Sequence, residues 1–280
     1  MTVAVIGLGL IGGSLAQAAV RAGHAVVGFD PAVAEDALSA CGIRPAATPE
    51  AAVRGAELVL LALPPAAVVS WVEAHERFLA NGAIVVDATG VKGVVCRALE
   101  KFAFQDRWTF IGGHPMAGRE VNGFANASAD LFRNASMILT PYPSCGRGPL
   151  DRLDVFFRGL GFGRVVITTP EHHDRMIALT SQLAHIVSSA YVQDPLAVEH
   201  RGYSAGSFHD MTRVARLDPD VWTDLFRANR EGLLETLDGL LARLARYRDA
   251  LAADDAATLC ALLAAGREAR LRAAPDPARS

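Results

Sequence analysis

A few short stretches hold the residues best suited to chemistry. The first is "GGHPMAGRE", residues 112–120, where His114 stands between a glycine pair and a proline and Glu120 closes the stretch. A histidine so placed is either loop filler or a proton acceptor at the lip of a pocket. A neutral imidazole titrates near working pH, which suits the second role. The second stretch is "GLGLIGG", with Gly7, Gly9 and Gly12 in G-x-G-x-x-G register around Leu10 and Ile11. Asp30 follows about 20 residues further on, where a dinucleotide fold sets an acid against the adenosine ribose. Two more sites lie late in the chain, His185 in "LAHIV" and Arg213 in "SFHDMTRVA". An arginine among apolar neighbours, beside Asp210 and Thr212, is either paired within the fold or aimed at an anion. His185 reads equally as a core histidine. "EHHD", residues 171–174, lacks a second histidine or carboxylate at i+4 of a ligand, so no metal is assigned and His172 reads as a solvated capping residue.

These residues need elements to hold them. "TVAVIG" reads as a buried parallel strand ending at the glycine turn, and "SLAQAAVRAG" as a helix closed by Gly23. Gly7 permits the tight turn, Gly9 lets a pyrophosphate approach the backbone, and Gly12 lets helix and strand pack closely. The helix N-terminus offers free N–H donors to phosphate. "AVVGFD" is the second strand and ends on Asp30, whose carboxylate accepts from ribose hydroxyls and repels a 2′-phosphate. Pro31 stands where an NADP site would offer Arg or Ser, so NAD is favoured; the alternative for Asp30 is a strand-end turn residue. "ELVLLALPP", "GAIVVDATG", "RWTFIGGHP" and "ASMILTP" continue the series, with helical segments between them, as a doubly wound α/β sheet of Rossmann type. Ligands bind beyond the carboxyl ends of such strands, where Pro64, Thr89, Lys92 and His114 fall.

After "PYPSCGRGP", one more helix and the strand-like "GRVVITT", the signature changes at Thr169-Pro170-Glu171, a helix N-cap sequence. Only helices follow. The expected organisation is a dinucleotide-binding domain over residues 1–169, an all-helical domain over 170–272 and a disordered tail over 273–280. On the first of these helices Asp174, Ser181 and His185 share a face by spacing. Leu233, Leu237, Leu240, Leu244, Tyr247 and Leu251 alternate at four and three, either a seam for a partner helix or a face for the chain's own core.

Composition limits the partners. A formal charge of −3 gives no electrostatic case for nucleic acid. The hydrophobic fraction of 51% supplies a core with some excess for a subunit contact. Cys41, Cys96, Cys145 and Cys260 are scattered, as in a reducing compartment. Residues 1–20 are apolar and uncharged, but the first basic residue, Arg21, lies behind them, so they do not read as a signal peptide or a membrane span. The expected location is the cytoplasm.

The chain resembles the prephenate/arogenate dehydrogenase family of tyrosine biosynthesis. The resemblance is carried in order by "GLGLIGGSLA", "DATGVK", "HPMAGRE" with "LF" at 131–132, "HDRMIALTSQLAH", "SFHDMTRVA" and "VWTDLFRAN". It implies a helical C-terminal domain that forms a homodimer, which makes the leucine seam a subunit contact. It also implies an oxidative decarboxylation: hydride passes from the ring carbinol carbon to NAD, the hydroxyl proton to a base, and carbon dioxide leaves as the ring becomes aromatic. By the same resemblance His114 is the proton acceptor, Arg213 grips a substrate carboxylate, His185 contacts substrate and Glu120 borders the pocket. Two positions depart from the family pattern. Gly90 stands where many relatives carry a serine that orients the catalytic histidine, leaving that task to Thr89 or a water, and Gln182 stands where a histidine is common. No regulatory or chorismate mutase segment is legible in the 280 residues, so any tyrosine feedback would have to act at the active site itself.

Prephenate is the leading substrate, with arogenate or dual cyclohexadienyl specificity as alternatives. A hydroxyacid dehydrogenase would want a lysine on the helical domain, and residues 170–230 contain none. From another class comes a silent NAD-binding sensor, against which the joint presence of His114 and Arg213 argues.

Overall fold

The computed structural model describes residues 1–103, 105–119 and 121–273. The readings of Glu120 and of the tail 273–280, Ala273 excepted, lie outside the described residues. The strands are β1 (Thr2–Ile6), β2 (Ala25–Phe29), β3 (Arg44–Pro45), β4 (Leu58–Leu61), β5 (Ala83–Asp87), β6 (Trp108–Pro115), β7 (Ser136–Pro141) and β8 (Arg164–Ile167). Among the described residues they form one sheet in the order β3-β2-β1-β4-β5-β6-β7-β8. Alternate residues of the central strands feed two apolar cores. Val3, Val5, Leu58 and Leu60 face one, while Ala4, Ile6, Val59 and Leu61 face the other. A sheet buried on both faces needs such continuous apolar runs, and "LVLL" of β4 is buried at every position.

The helices are α1 (Leu10–Arg21), α2 (Glu35–Ala40), α3 (Pro49–Val53), α4 (Pro65–His75), α5 (Gly93–Leu99) and α6 (Arg147–Gly159). Then follow α7 (Pro170–Ile177), α8 (Leu183–Val192), α9 (Gly206–Thr212), α10 (Pro219–Ala228), α11 (Arg230–Ala252) and α12 (Ala256–Arg272). This is a Rossmann-type domain followed by a helical one. One strand pair runs against the rest: β6 and β7 are antiparallel. A parallel return needs a crossover, commonly a helix, and the described residues of the β6–β7 connection hold only a short 3-10 turn, Phe124–Asn126.

By compactness the chain forms two units. Unit one comprises Met1–Ile177 with Arg216–Asn229, and unit two comprises Ala178–Ala215 with the chain from Arg230 onward. The strand signal ends near residue 169, but α7 and α10 group with the sheet. Asp174 of α7 accepts from the backbone N–H groups of Lys92 and Gly93, and Asn229, just after α10, donates to the Asp174 carbonyl at 2.8 Å.

Within unit two, α8 packs on α9 and α11 on α12. Asp255 caps α12 through the Thr258 N–H at 3.0 Å. The leucine seam divides between two tasks. Leu233 is buried within the chain, and the Tyr247 hydroxyl donates to the Leu262 carbonyl of α12 at 3.1 Å. Leu244 and Leu251 are exposed together with Leu234 and Leu241. Between Asp174 and His185, Ala178–Gln182 form a π-helical turn, whose residue spacing differs from the α-helical one. No helix of the described residues is long and apolar enough to cross a membrane.

Candidate active site

The glycine turn joins β1 to α1. Gly7 has φ of +82°, and a Cβ there would lie 2.5 Å from the Ala62 carbonyl oxygen. A Cβ on Gly12 would lie 1.9 Å from the Gly7 oxygen, so neither position admits a side chain. Gly9, the N-cap of α1, has open space where a Cβ would stand. Leu10 and Ile11 open the helix, whose first N–H groups lack intrahelical partners. Open ground before a 12-residue helix fits a phosphate group. Asp30 serves the turn as well: its Oδ2 accepts from Leu8 N at 2.7 Å and its Oδ1 from Ala32 N at 2.9 Å. Each carboxylate oxygen keeps a further lone pair, so the turn role and a ribose role are compatible. Pro64, exposed at the end of β4, is the N-cap of α4.

At the carboxyl edge of β5 and β6 a buried ion pair sets the backbone. Lys92 and Asp87 are both fully buried and bonded to each other, and Lys92 Nζ also donates to the Gly113 carbonyl at 2.5 Å. The parallel register of β5 with β6 ends at Val86 and Ile111, while Gly112 to Pro115 pair with β7. The Asp87 side chain takes over there, its Oδ1 accepting from Gly113 N at 3.0 Å. His114 is the next residue, so this pair fixes the strand that carries it. Thr89 is buried, with its hydroxyl 2.5 Å from Asp87 Oδ2 and 2.7 Å from the Val91 carbonyl.

His114 itself is half-buried. Its Nδ1 lies 2.9 Å from Nε2 of His173, whose Nδ1 lies 2.7 Å from Oδ1 of Asp174. Asp174 also receives Lys92 N on Oδ1 and Gly93 N on Oδ2, each at 2.7 Å. The orienting partner of His114 is therefore His173, while the Thr89 hydroxyl is engaged with Asp87 and Val91. A Cβ on Gly90 would lie 3.9 Å from His114 Nε2 and 3.5 Å from Leu225, in ordinary contact with both, so Gly90 borders the Nε2 side of the ring.

The electrostatics favour neutral rings. Burial, then the neighbouring His173 and the Lys92 cation, hold His114 well below the ordinary imidazole value. Burial also lowers His173, against the opposing hydrogen bond with Asp174. For Asp174 burial works the other way, but the hydrogen bonds from His173, Lys92 N and Gly93 N outweigh it and keep the carboxyl low. A carboxylate acceptor, a neutral His173 and a neutral His114 leave one arrangement of protons. His173 carries its proton on Nδ1, His114 carries its own on Nδ1, and His114 Nε2 is a bare lone pair.

His173 is the residue that sequence reasoning missed. Thr169 does cap α7, accepting from His172 N at 3.2 Å, and His172 is exposed as expected. The cap fixes the helical phase, in which His173 and Ile177 fall one turn apart on the buried face, and that signal was available. His185 and Arg213 belong to unit two. The His185 ring, half-buried, bonds the Ser181 carbonyl through Nδ1 at 2.9 Å. Arg213 opens the 3-10 turn Arg213–Ala215 after α9 with an exposed side chain.

Residues 15–168 match the family model described as prephenate dehydrogenase, nucleotide-binding domain, and residues 169–265 match prephenate dehydrogenase, dimerization domain. A cyclohexadienyl dehydrogenase of Zymomonas mobilis is 33% identical, over 98% of this chain and 96% of the relative. A prephenate dehydrogenase of Bacillus subtilis is 30% identical, over 92% of this chain and 72% of the relative. Among solved structures, the Synechocystis arogenate dehydrogenase superposes with a TM-score of 0.84 at 26% identity, covering 98% of this chain and all of that one (100%). The prephenate dehydrogenase of A. aeolicus, in complex with hydroxyphenyl propionate and NAD+, gives a TM-score of 0.84 at 25% identity, with 98% of each chain covered.

Proposed function

The chain belongs to the prephenate/arogenate dehydrogenase family, and from that premise we propose that it catalyses the NAD-dependent oxidative decarboxylation of prephenate to 4-hydroxyphenylpyruvate. The observation that carries this reading is the place of His114 at the carboxyl end of β6, where its Nδ1 is engaged by His173 Nε2 and its Nε2 is left to meet a substrate. When bound, NAD supplies the hydride acceptor. The chain's own residues do the rest. Gly9 and the start of α1 take the pyrophosphate, Asp30 takes the ribose hydroxyls, and Pro64 and Thr89 border the cofactor. His114 Nε2 receives the ring hydroxyl's proton as the carbinol carbon is oxidised, and loss of the ring carboxylate as carbon dioxide completes aromatisation. Arg213 holds a substrate carboxylate, and His185 and Glu120 contact the substrate.

We assign residues 1–169 to the cofactor and 170–272 to the substrate and the dimer contact. Leu234, Leu241, Leu244 and Leu251 supply an exposed apolar face on α11 for that contact. Sedimentation at micromolar concentration should show a homodimer, and a stable monomer would refute it. The proposed location is the cytoplasm. A second reading, use of arogenate as well, is supported by the Zymomonas relative, which is named for the wider cyclohexadienyl class. Purified protein with NAD and either prephenate or arogenate decides between them by NADH formation. Turnover of prephenate is expected, and silence with both substrates would overturn the assignment to an enzyme.

A further inference from the structure

We propose that His173 and Asp174 are positioning residues for the proton acceptor, holding His114 as the Nδ1–H tautomer and sharing the charge it gains in each turnover. The inference rests on the reading of His114 as the base, and its argument is geometric. Asp174 is anchored by two backbone N–H groups at the start of α5, Lys92 N and Gly93 N, so its carboxylate stays fixed while it accepts from His173 Nδ1. A neutral His173 then has only Nε2 left as an acceptor, and that atom lies 2.9 Å from His114 Nδ1. The opposite arrangement, with His173 as an imidazolium, would put the His114 proton on Nε2 and leave no base. Burial of His173 and the nearby Lys92 cation disfavour it.

The proton balance is simple. The substrate hydroxyl proton forms a bond to His114 Nε2, and the ring becomes cationic. The proton already on His114 Nδ1 can move to His173 Nε2, while the one on His173 Nδ1 is drawn towards Asp174 Oδ1. The three side chains together gain one proton, and no bond to carbon is involved. The charged and titratable groups facing these rings in unit one are Asp174 on α7, Lys92 at the start of α5 and Asp87 at the end of β5. The cation acting on both rings, Lys92, is already bonded to Asp87 and Gly113, which leaves Asp174 as the anion that offsets the new charge.

Two substitutions separate positioning from mere support. His173→Leu removes the acceptor, whereas His173→Gln retains a carbonyl oxygen able to accept from His114 Nδ1 but unable to carry a proton. For His173→Leu, kcat should fall on the order of 10²-fold, the low end of what a positioned base contributes. KM for prephenate and for NAD should move only a few-fold. His173→Gln should recover much of kcat, and in His173→Leu the acid limb of the kcat profile should shift, because the imidazolium of His114 has lost the acceptor of its Nδ1 proton. Nitrogen NMR of histidine-labelled wild-type protein should show His114 as the Nδ1–H tautomer. If His173→Leu does not fold, His173→Gln and the NMR spectrum carry the test. An unmoved acid limb in His173→Leu overturns the inference while the proposed function stands, and a His114 protonated on Nε2 overturns both the inference and the role of His114 as base, with NADH formation judging the reaction itself separately. A wild-type protein that makes no NADH sinks the proposed function instead, and the NMR tautomer still reports on the contact.

Discussion

The rings of His114 and His173 meet Nδ1 to Nε2 at 2.9 Å with an angle of 62° between their planes. The contact joins the end of β6 to the second turn of α7 across 59 positions of sequence. It gives His114 a defined reactive atom, Nε2, and makes Asp174 the distal anchor. The behaviour of the site follows from keeping both rings neutral and the strand end beneath them rigid.

The rigid strand end rests on Lys92 and Asp87. Removing one partner of a fully buried pair leaves the other charge unpaired, at about 3–5 kcal/mol. Lys92→Ala should therefore lose that much in a denaturant titration, together with the Gly113 contact. A loss under about 1 kcal/mol, the worth of an exposed pair, would contradict this account.

Acid should weaken the fold in a defined window. The folded-state values of His114 and His173 lie below the ordinary imidazole value of 6.5. Between those values and 6.5 the unfolded chain binds protons that the folded chain does not. Stability thus rises with pH through the window, is fully present above it and is lost as pH falls through it. Asp174, held low, loses its own contribution further down. Tm should fall from about pH 7 to about pH 5, and less steeply in His114→Asn. A flat profile in the wild type would contradict neutral buried rings.

Asp30 has two tasks that a single substitution can separate. Asp30→Asn keeps an oxygen for the turn but removes the charge that repels a 2′-phosphate. The preference for NAD over NADP, as a ratio of kcat/KM, should narrow by about 10-fold, equal to ~1.4 kcal/mol. An unchanged ratio would leave Asp30 as a turn residue only.

Arg213→Ala tests the carboxylate clamp. Truncating one partner of a buried charge pair costs about 2–5 kcal/mol, and the exposure of this side chain in the structure points to the lower end. KM for prephenate should rise accordingly, with NAD binding intact and only partial rescue by Arg213→Lys, whose ammonium cannot form two parallel hydrogen bonds. An unchanged KM in a folded variant would remove Arg213 from the substrate site.

Much of this was legible in the sequence because the signals are local. Buried runs such as "LVLL" and "AIVVD" can only be strands covered on both faces, and the glycine turn declares its own backbone needs at Gly7 and Gly12. Thr169 announced α7. Other features depend on distant partners. β3 is two residues long and exists by pairing with β2, and the reversed direction of β7 goes with a connection whose described residues hold no crossover helix. Spacing alone could not divide the leucines of α11 between the chain's own α12 and an outer face. His173 hid between an exposed histidine and an aspartate, and its role emerges only when α7 lies against the end of β6.

The most direct measurement follows carbon dioxide and NADH together from prephenate, in wild-type protein and in His114→Asn. Wild type should release one carbon dioxide for each NADH, and His114→Asn should lower kcat by roughly 10²- to 10⁴-fold with NAD affinity nearly unchanged. NADH formed without carbon dioxide, or a variant within a few-fold of wild type, would contradict an oxidative decarboxylation that uses His114 as its base.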